Sequence, residues 1–170
     1  MFEKGGYIVY GTTGVCEIED TTSPNIEGVP GNRLYYVLNP CFKKGNRIFT
    51  PVDNEKVVIR AVMTQEEAAS LVDEIPHIEE LWEKDDKVRE LRYKEAIRSC
   101  NPREWIQIIK TSYQRQQQRK AAGKKATTVD ERYFKAAEEH LYAELSIALG
   151  VPKDEVRDYI QKRLGKEQGN

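Results

Sequence analysis

The spacing of apolar residues changes near residue 60. Before that point, short runs rich in Val, Ile, Tyr and Phe alternate with turn residues, a pattern typical of β-strands. The runs predict five strands, at 7–10, 15–19, 34–38, 47–52 and 56–60. So many short strands in so few residues favour a small barrel-like sheet. A glycine- and proline-containing loop over 21–32 and a turn at Lys44-Gly45-Asn46 would connect them.

After the boundary the apolar period becomes that of helices. The predicted helices lie near 65–73, 77–99, 102–120, 128–149 and 152–164. Capping-box patterns mark three starts, Thr64 with Glu67, Asn101 with Glu104 and Thr128 with Glu131, and Asn101 is the looser match. Pro102 and Pro152 suit first helical turns, and Gly150 and Gly165 suit helix ends. The prediction is an α+β chain with a β module at 1–63 and a helical domain at 64–170.

Charge is distributed unevenly, although the formal net charge of the 170 residues is only −1. Residues 61–81 contain six acids and no Lys or Arg, whereas residues 82–125 contain thirteen bases and six acids, a net charge of +7. Clustered bases on helices suit phosphate contacts, because each neutralised phosphate releases condensed counterions. A basic face that only solvates the protein is the alternative. No base-reading motif accompanies the bases, so any DNA contact is expected to depend on backbone and shape.

Other functional classes find little support in the sequence. No apolar stretch approaches the roughly 20 residues of a membrane span, and the N-terminus lacks the organisation of a secretory signal, so we expect a cytoplasmic protein. Cys16, Cys41 and Cys100 form no C-x-x-C pair, and His77 and His140 stand far apart. We therefore expect no metal, no cofactor, no small-molecule substrate and no enzymatic activity.

Several segments resemble CarD-like bacterial transcription regulators. The N-terminal matches, which the module of transcription–repair coupling factors shares, are Phe2-x-x-Gly5-x-x-Ile8-Val9-Tyr10, Gly14-Val15-x-x-Ile18, Leu34 to Leu38, Arg47 to Asn54 and Ile59-Arg60-x-Val62. Further matches are Arg92-Tyr93-Lys94, the helix from Asn101 to Tyr113, and Glu144 to Leu149. The likeness spans roughly residues 2–164, and no Walker motif occurs, so the stand-alone regulator is favoured over the repair factor.

The resemblance implies a Tudor-like or SH3-like five-stranded barrel that docks on the RNA polymerase β subunit through a strand edge. The residues it assigns to this contact are Arg47, Lys43, Lys44, Ile48, Phe49 and Pro51. It also implies that the helical domain touches promoter DNA near the upstream edge of the bubble, which would place the protein at the nucleoid. The DNA-contact candidates are Trp82, Lys87, Arg89, Arg92, Lys94, Arg115, Arg119, Lys124 and Lys125. An adaptor that binds polymerase but not DNA is the alternative function.

The two tryptophans are expected to differ in role. Family members place a tryptophan against the melted promoter, where an aromatic side chain can wedge into the minor groove; the matching position here is Arg89. Trp105 keeps step with Ile108 and Ile109, which predicts a core position. Trp82 would share a helical face with Arg89 and Tyr93, so wedge and packing roles both remain open. If neither tryptophan acts, Arg89 could enter the groove as a cation.

Overall fold

The chain divides into two compact units, Met1–Val62 and Met63–Asn170. The structure is a computed structural model that describes residues 1–23, 33–43 and 45–168, with side chains to residue 165. The first unit is a β-sheet and the second is built from α-helices. No helix in the described part of the chain is long and apolar enough to cross a bilayer.

The N-terminal unit contains one antiparallel sheet of five strands. They are β1 (Tyr7–Tyr10), β2 (Gly14–Thr22), β3 (Tyr35–Pro40), β4 (Ile48–Pro51) and β5 (Ile59–Ala61). The number of strands and the α+β class confirm the prediction. The bounds differ: β2 is longer than expected, β5 is short, and residues 41–47 join β3 to β4 where a tight turn was predicted. Of that predicted turn and the 21–32 loop, Lys44 and residues 24–32 lie outside the described residues.

The prediction of a closed barrel is wrong. Along the sheet the strand order is β4-β3-β2-β1-β5, and no pairing joins β4 to β5 within the described residues. Closure requires strands long enough to tilt and stagger around the axis, but β4 has four residues and β5 only three. Among the strands that the structure describes, β4 and β5 therefore form the two open edges of the sheet.

Alternating apolar residues give the sheet its core. Ile8, Cys16, Ile18, Tyr36 and Leu38 form one buried cluster, as the period of two along a strand requires. Flanking hydrophobic residues pack against it, namely Phe2, Tyr10, Ile48, Val52 and Ile59. The Phe2 backbone N–H donates to the Tyr36 hydroxyl at 2.9 Å. This bond satisfies the polar end of a large buried side chain.

The C-terminal unit has five α-helices. They are α1 (Gln65–Glu74), α2 (Asp86–Ser99), α3 (Pro102–Ala121), α4 (Thr128–Leu149) and α5 (Val156–Gln168). Single 3₁₀ turns lie at Ile75–His77 and Lys153–Glu155. Helices α3 and α4 pack against each other, with Trp105 only 1% exposed and its ring stacked 5.4 Å from that of His140. The prediction that Trp105 is a core residue is confirmed.

The helix ends agree with the sequence signals in part. Thr64 and Glu67 form the complete capping box that was predicted, and Gly150 ends α4 in the left-handed conformation. At the start of α4, however, the cap is Thr127 rather than Thr128, and its side chain accepts from the Asp130 N–H. Two further signals also act differently. Asn101 accepts from Arg103 instead of forming a box with Glu104, and α5 continues through Gly165.

The predicted helix over 77–99 is wrong in its first third, because α2 begins only at Asp86. The Asp85 side chain caps it by accepting from the Val88 N–H at 3.0 Å. Two hydrogen bonds tie the preceding segment to α3: Leu81 N–H donates to the Thr111 hydroxyl at 2.8 Å, and Lys110 Nζ donates to the Ile78 carbonyl at 2.8 Å. Trp82 therefore lies on no helix and shares no helical face with Arg89.

Candidate docking edge and basic surface

Within the described residues, no strand pairs with the outer side of β4, which therefore forms an edge of the sheet. Val52 N–H donates to the Leu34 carbonyl at 3.1 Å, just beyond the β4 pairs Pro51 with Tyr35 and Thr50 with Tyr36. Hydrogen-bonded and non-hydrogen-bonded pairs alternate along antiparallel strands. The main-chain groups of Phe49 and Pro51 consequently face away from β3. Pro51 lacks an N–H, and such a residue is tolerated only where no ladder bond is needed.

The side chains along this edge are amphipathic. The ring of Phe49 stays 46% exposed, and Arg47, 67% exposed, pairs with Glu19 at 2.5 Å (Nε to Oε2). Lys43 is exposed as well, with its Nζ 3.5 Å from the Thr12 carbonyl oxygen. Ile48 packs against the core cluster, so of the apolar candidates Phe49 is the more accessible. Half-buried Pro51 offers less surface, and Lys44 lies outside the described residues.

In the helical unit, α2 carries a basic stripe on its exposed side. Lys87, Lys94 and Arg98 are exposed and recur at helical spacing, with Leu91 between them. Leu91 is 57% exposed. Arg98 was not among the sequence candidates, although its spacing of four residues from Lys94 and eleven from Lys87 could have identified it. Arg92, also exposed, lies to one side of the stripe.

Arg89 faces the interior of the unit. It is 5% exposed, its Nη1 donates to the Glu83 carbonyl at 2.9 Å, and its Nη2 pairs with Asp86. This ion pair, chiefly through the hydrogen bond itself, lowers the pKa of the Asp86 carboxyl. The guanidinium thus ties α2 to the segment before it. This position disfavours Arg89 as a cation that enters a DNA groove.

Arg115 belongs to a buried polar network rather than to a free basic face. Its Nε lies 3.1 Å from Oδ2 of Asp130, which also accepts from the Thr127 hydroxyl at 2.8 Å. The Tyr93 hydroxyl donates to Oδ1 of Asp130 at 3.1 Å. Burial, reinforced by the Asp130 charge, raises the pKa of Tyr93. The network joins α2, α3 and the start of α4.

A second group of bases surrounds the α3–α4 connection. Arg119 Nε donates to the Lys125 carbonyl at 2.7 Å, which fixes the connection on the end of α3. Lys124 and Lys125 are exposed there, as is Lys120. Lys87 and Arg119 line one pocket of about 230 Å³. The start of the α2 stripe therefore approaches this second group.

Trp82 is the most exposed large aromatic residue in the described chain, at 79%. It lines a groove of about 370 Å³ between residues 80–84 and α3. Lys84 and Arg115 contribute to the same groove. Packing in the core, one of the two roles considered for Trp82, does not apply within this unit.

Comparison with known proteins supports the resemblance for the β module. Residues 2–63 match the family model described as the CarD-like/TRCF RID domain, which interacts with RNA polymerase. A search of curated proteins found no match to the chain. The likeness of the helical domain stays a prediction. Residues 2–63 are therefore similar to the RNA polymerase-interacting domain that CarD-like proteins and TRCF share.

Proposed function

We propose that this protein is a transcription regulator that binds the RNA polymerase β subunit through β4 and promoter DNA through its helical unit, and so changes the stability of the open complex. The observation that carries the proposal is the open β4 edge within a domain of polymerase-interacting type. An added strand would gain main-chain hydrogen bonds at Phe49, and side chains would set its register. Arg47 beside this edge supplies charge for the same contact.

Substitutions at Phe49 separate main-chain pairing from side-chain contact. Phe49→Pro removes the outward N–H but leaves the β3 ladder intact, whereas Phe49→Ala keeps the N–H and removes the ring. We expect Phe49→Pro in the full chain to lose binding to the β subunit beyond the loss with Phe49→Ala. Equal binding by the two variants would reject strand pairing. Circular dichroism checks that both are folded.

The charge contribution needs its own comparison. Arg47→Glu should weaken capture of the β subunit, while Arg60→Glu, on β5 at the opposite edge of the sheet, serves as the matched charge reversal. Equal losses would mean that net charge, rather than the β4 edge, governs the interaction.

DNA binding is supported by the exposed bases on α2 and at the α3–α4 connection. Because the described bases form stripes without a recognisable reading motif, affinity should be weak, insensitive to sequence and strongly salt-dependent. The paired change Lys94→Glu with Arg98→Glu should reduce binding to duplex DNA and flatten the salt response. Lys162→Glu on α5 is the control for net charge. Strong preference for one duplex over scrambled duplexes would contradict the proposal.

An adaptor function is the second candidate, and exposed Leu91 in the middle of the basic stripe favours it. Exposed Val88 adds apolar area to the same helix. An adaptor would bind polymerase with no salt-dependent affinity for DNA. In that case Leu91→Ser should release a protein partner, and the Lys94 and Arg98 reversals should leave promoter complexes unchanged.

We propose Trp82 as the residue that contacts the bubble edge, because its side chain is 79% exposed. Trp82→Ala should shorten the lifetime of promoter open complexes while leaving folding and polymerase binding intact. Arg89→Ala should destabilise the helical unit, since it removes a buried side chain that bonds to the Glu83 carbonyl and pairs with Asp86. Unchanged lifetime with Trp82→Ala would remove the residue from the mechanism.

A further inference from the structure

Strand β4, an edge of the sheet among the described strands, has an apolar surface. Its four residues, Ile48-Phe49-Thr50-Pro51, carry no charge, and the ring of Phe49 is 46% exposed. An open apolar edge is a template for pairing with other strands, including the same strand of a second copy. Two copies paired at Phe49 would also bring their aromatic rings together across the new ladder. An edge that is kept for another protein therefore needs a feature that disfavours self-pairing.

The β4 edge offers few main-chain hydrogen-bonding groups. Val52 N–H donates to the Leu34 carbonyl at 3.1 Å. Since bonded and non-bonded pairs alternate along an antiparallel ladder, the main chains of Phe49 and Pro51 face outward. Pro51 has no N–H, and its carbonyl already accepts from the Asn54 N–H at 3.1 Å. Of these two outward residues, only Phe49 therefore offers a complete pair of donor and acceptor.

Symmetry makes this gap more costly for a second copy than for another protein. Two copies that pair antiparallel are related by a two-fold axis, so a defect in one copy is repeated in the other. With Phe49 opposite Phe49 of the second copy, the next outward positions place each Pro51 against residue 47, and neither proline can donate. With Phe49 opposite Pro51, the ladder again lacks two donors. A strand of another protein has its own N–H groups and meets Pro51 only once.

We infer that Pro51 is a specificity-determining residue of the docking edge: it disfavours pairing of β4 with a second copy of the chain and leaves Phe49 available to a strand of the RNA polymerase β subunit. The inference rests on the proposed docking at β4 and explains its selectivity. Proline is one of the residues that natural edge strands use against unwanted pairing. Because Pro51 lies at one end of the strand, docking at Phe49 keeps both of its main-chain bonds.

Self-association of the full chain tests the role of Pro51. Pro51→Val restores an N–H in a residue type that suits a strand. Each dimer then gains two hydrogen bonds, so sedimentation equilibrium should show a self-association constant about tenfold or more above that of the parent, or a dimer where the parent remains monomeric. Pro152→Val, in the helical unit, is the matched control for loss of a proline and should leave the constant unchanged.

Two measurements locate the association at β4. Adding Phe49→Pro to Pro51→Val removes the remaining outward N–H and should return the chain to the association state of the parent. Amide hydrogen exchange at Phe49 should slow as the concentration of Pro51→Val rises, because the N–H becomes bonded between copies, and should stay fast in the parent. Circular dichroism checks that the variants are folded.

Capture of the β subunit supplies a readout that a merely structural role would not move. At concentrations below self-association, Pro51→Val should bind the subunit at least as well as the parent, because the substitution adds a donor and leaves Phe49 unchanged. At higher concentrations its binding should fall, since a second copy competes for the same edge. Weaker binding by the dilute variant would overturn the inference, because Pro51 would then act in docking itself.

The remaining outcomes separate this inference from the function on which it rests. An unchanged self-association constant in Pro51→Val, or an equal rise with Pro152→Val, would overturn the role of Pro51. Association that persists after Phe49→Pro would do the same, because the copies would then not pair through β4, and so would a parent chain that dimerises through this edge. Capture of the β subunit that is as strong with Phe49→Pro as with Phe49→Ala would instead reject docking by strand pairing, whatever the self-association of Pro51→Val.

Discussion

Replacing Asp130 with alanine should destabilise the helical unit more than an ordinary ion-pair deletion. Asp130 is 1% exposed, and its carboxylate accepts from Arg115, Tyr93 and Thr127. A buried charge is stable only when it is paired and hydrogen-bonded. Here one side chain serves three partners on different parts of the unit.

The size of the effect follows from what the substitution leaves behind. Removal of one partner of a buried ion pair costs about 3–5 kcal/mol, because the other charge stays unpaired. Arg115 is partly exposed and water can solvate it, which places Asp130→Ala near the lower limit, at about 3 kcal/mol. Asp130→Asn keeps the shape and one acceptor oxygen but loses the charge, so we expect about 1–2 kcal/mol.

Denaturant unfolding of the full chain, followed by Trp105 fluorescence, measures these changes. Trp105 reports on the core of α3 and α4, whereas global probes would average two units whose transitions need not coincide. Glu90→Ala is the matched control, because Glu90 pairs with Arg132 at 3.0 Å on the surface. Exposed pairs contribute about 0–1 kcal/mol.

Two results would refute this reasoning. If Asp130→Ala costs no more than Glu90→Ala, the buried network contributes nothing beyond a surface ion pair. If Asp130→Asn is as damaging as Asp130→Ala, the charge alone matters and the hydrogen bonds from Tyr93 and Thr127 do not. A changed denaturant slope would indicate altered compactness of the folded or unfolded state instead of a simple stability change.

Three further predictions concern packing and burial. Trp105→Ala should lower the stability of the helical unit by about 3–5 kcal/mol, whereas Trp82→Ala should change it by less than about 0.5 kcal/mol; denaturant unfolding of both variants is followed by far-UV circular dichroism, because Trp105→Ala removes the fluorescent reporter. Buried Cys16 and Cys100 should react with iodoacetamide only after unfolding, and half-buried Cys41, whose pKa is raised by burial, should react more slowly than a free thiol, as mass spectrometry can follow. Burial also raises the pKa of Cys16 from 9.0 to about 12; the folded state therefore holds its proton more tightly, and this stabilisation is complete below pH 9 and lost as the pH rises toward 12. Denaturation of the β module across that range should show a larger loss in the parent than in Cys16→Ala, in which Cys41 still contributes.

Local signals were sufficient for much of the fold. The five apolar runs predicted the strands because alternation along a strand directly reflects which side chains enter the core. Thr64 and Gly150 were read correctly because capping depends on residues within one turn. Closure of the sheet was not predictable in this way, since it depends on the lengths of β4 and β5 and on the stagger of all the strands.

The prediction of a helix in the segment before α2 was wrong for a different reason. Residues 78–85 contain good helix formers and offer no proline or glycine to stop a helix. Their conformation is set by Thr111 and Lys110, about thirty positions away in sequence. Such long-range contacts override helix propensity, and the local sequence pattern does not predict them.

For the candidate contact residues, the sequence shows which side chains are charged but not which of them are paired with carboxylates in the folded unit. Lys87 and Lys94 are exposed, while Arg89 is paired with exposed Asp86 and Arg115 with buried Asp130. Counting bases treats all four alike. The net charge of +7 for residues 82–125 consequently overstates the positive charge that is available to bind phosphates.

The start of α2 at Asp86 rather than at the predicted residue 77 and the exposure of Trp82 have a common cause. On α2, Arg89 keeps step with buried Tyr93 and Ala96, so any side chain at that position points toward the core of the unit. An aromatic residue there would be buried by the same geometry that buries Arg89. An exposed ring must then come from a segment that does not follow the helix, and residues 78–85 provide one because α3 holds them in a non-helical path. Arg89 contributes by bonding to the Glu83 carbonyl next to Trp82. The arginine at this position thus holds the backbone beside the exposed tryptophan.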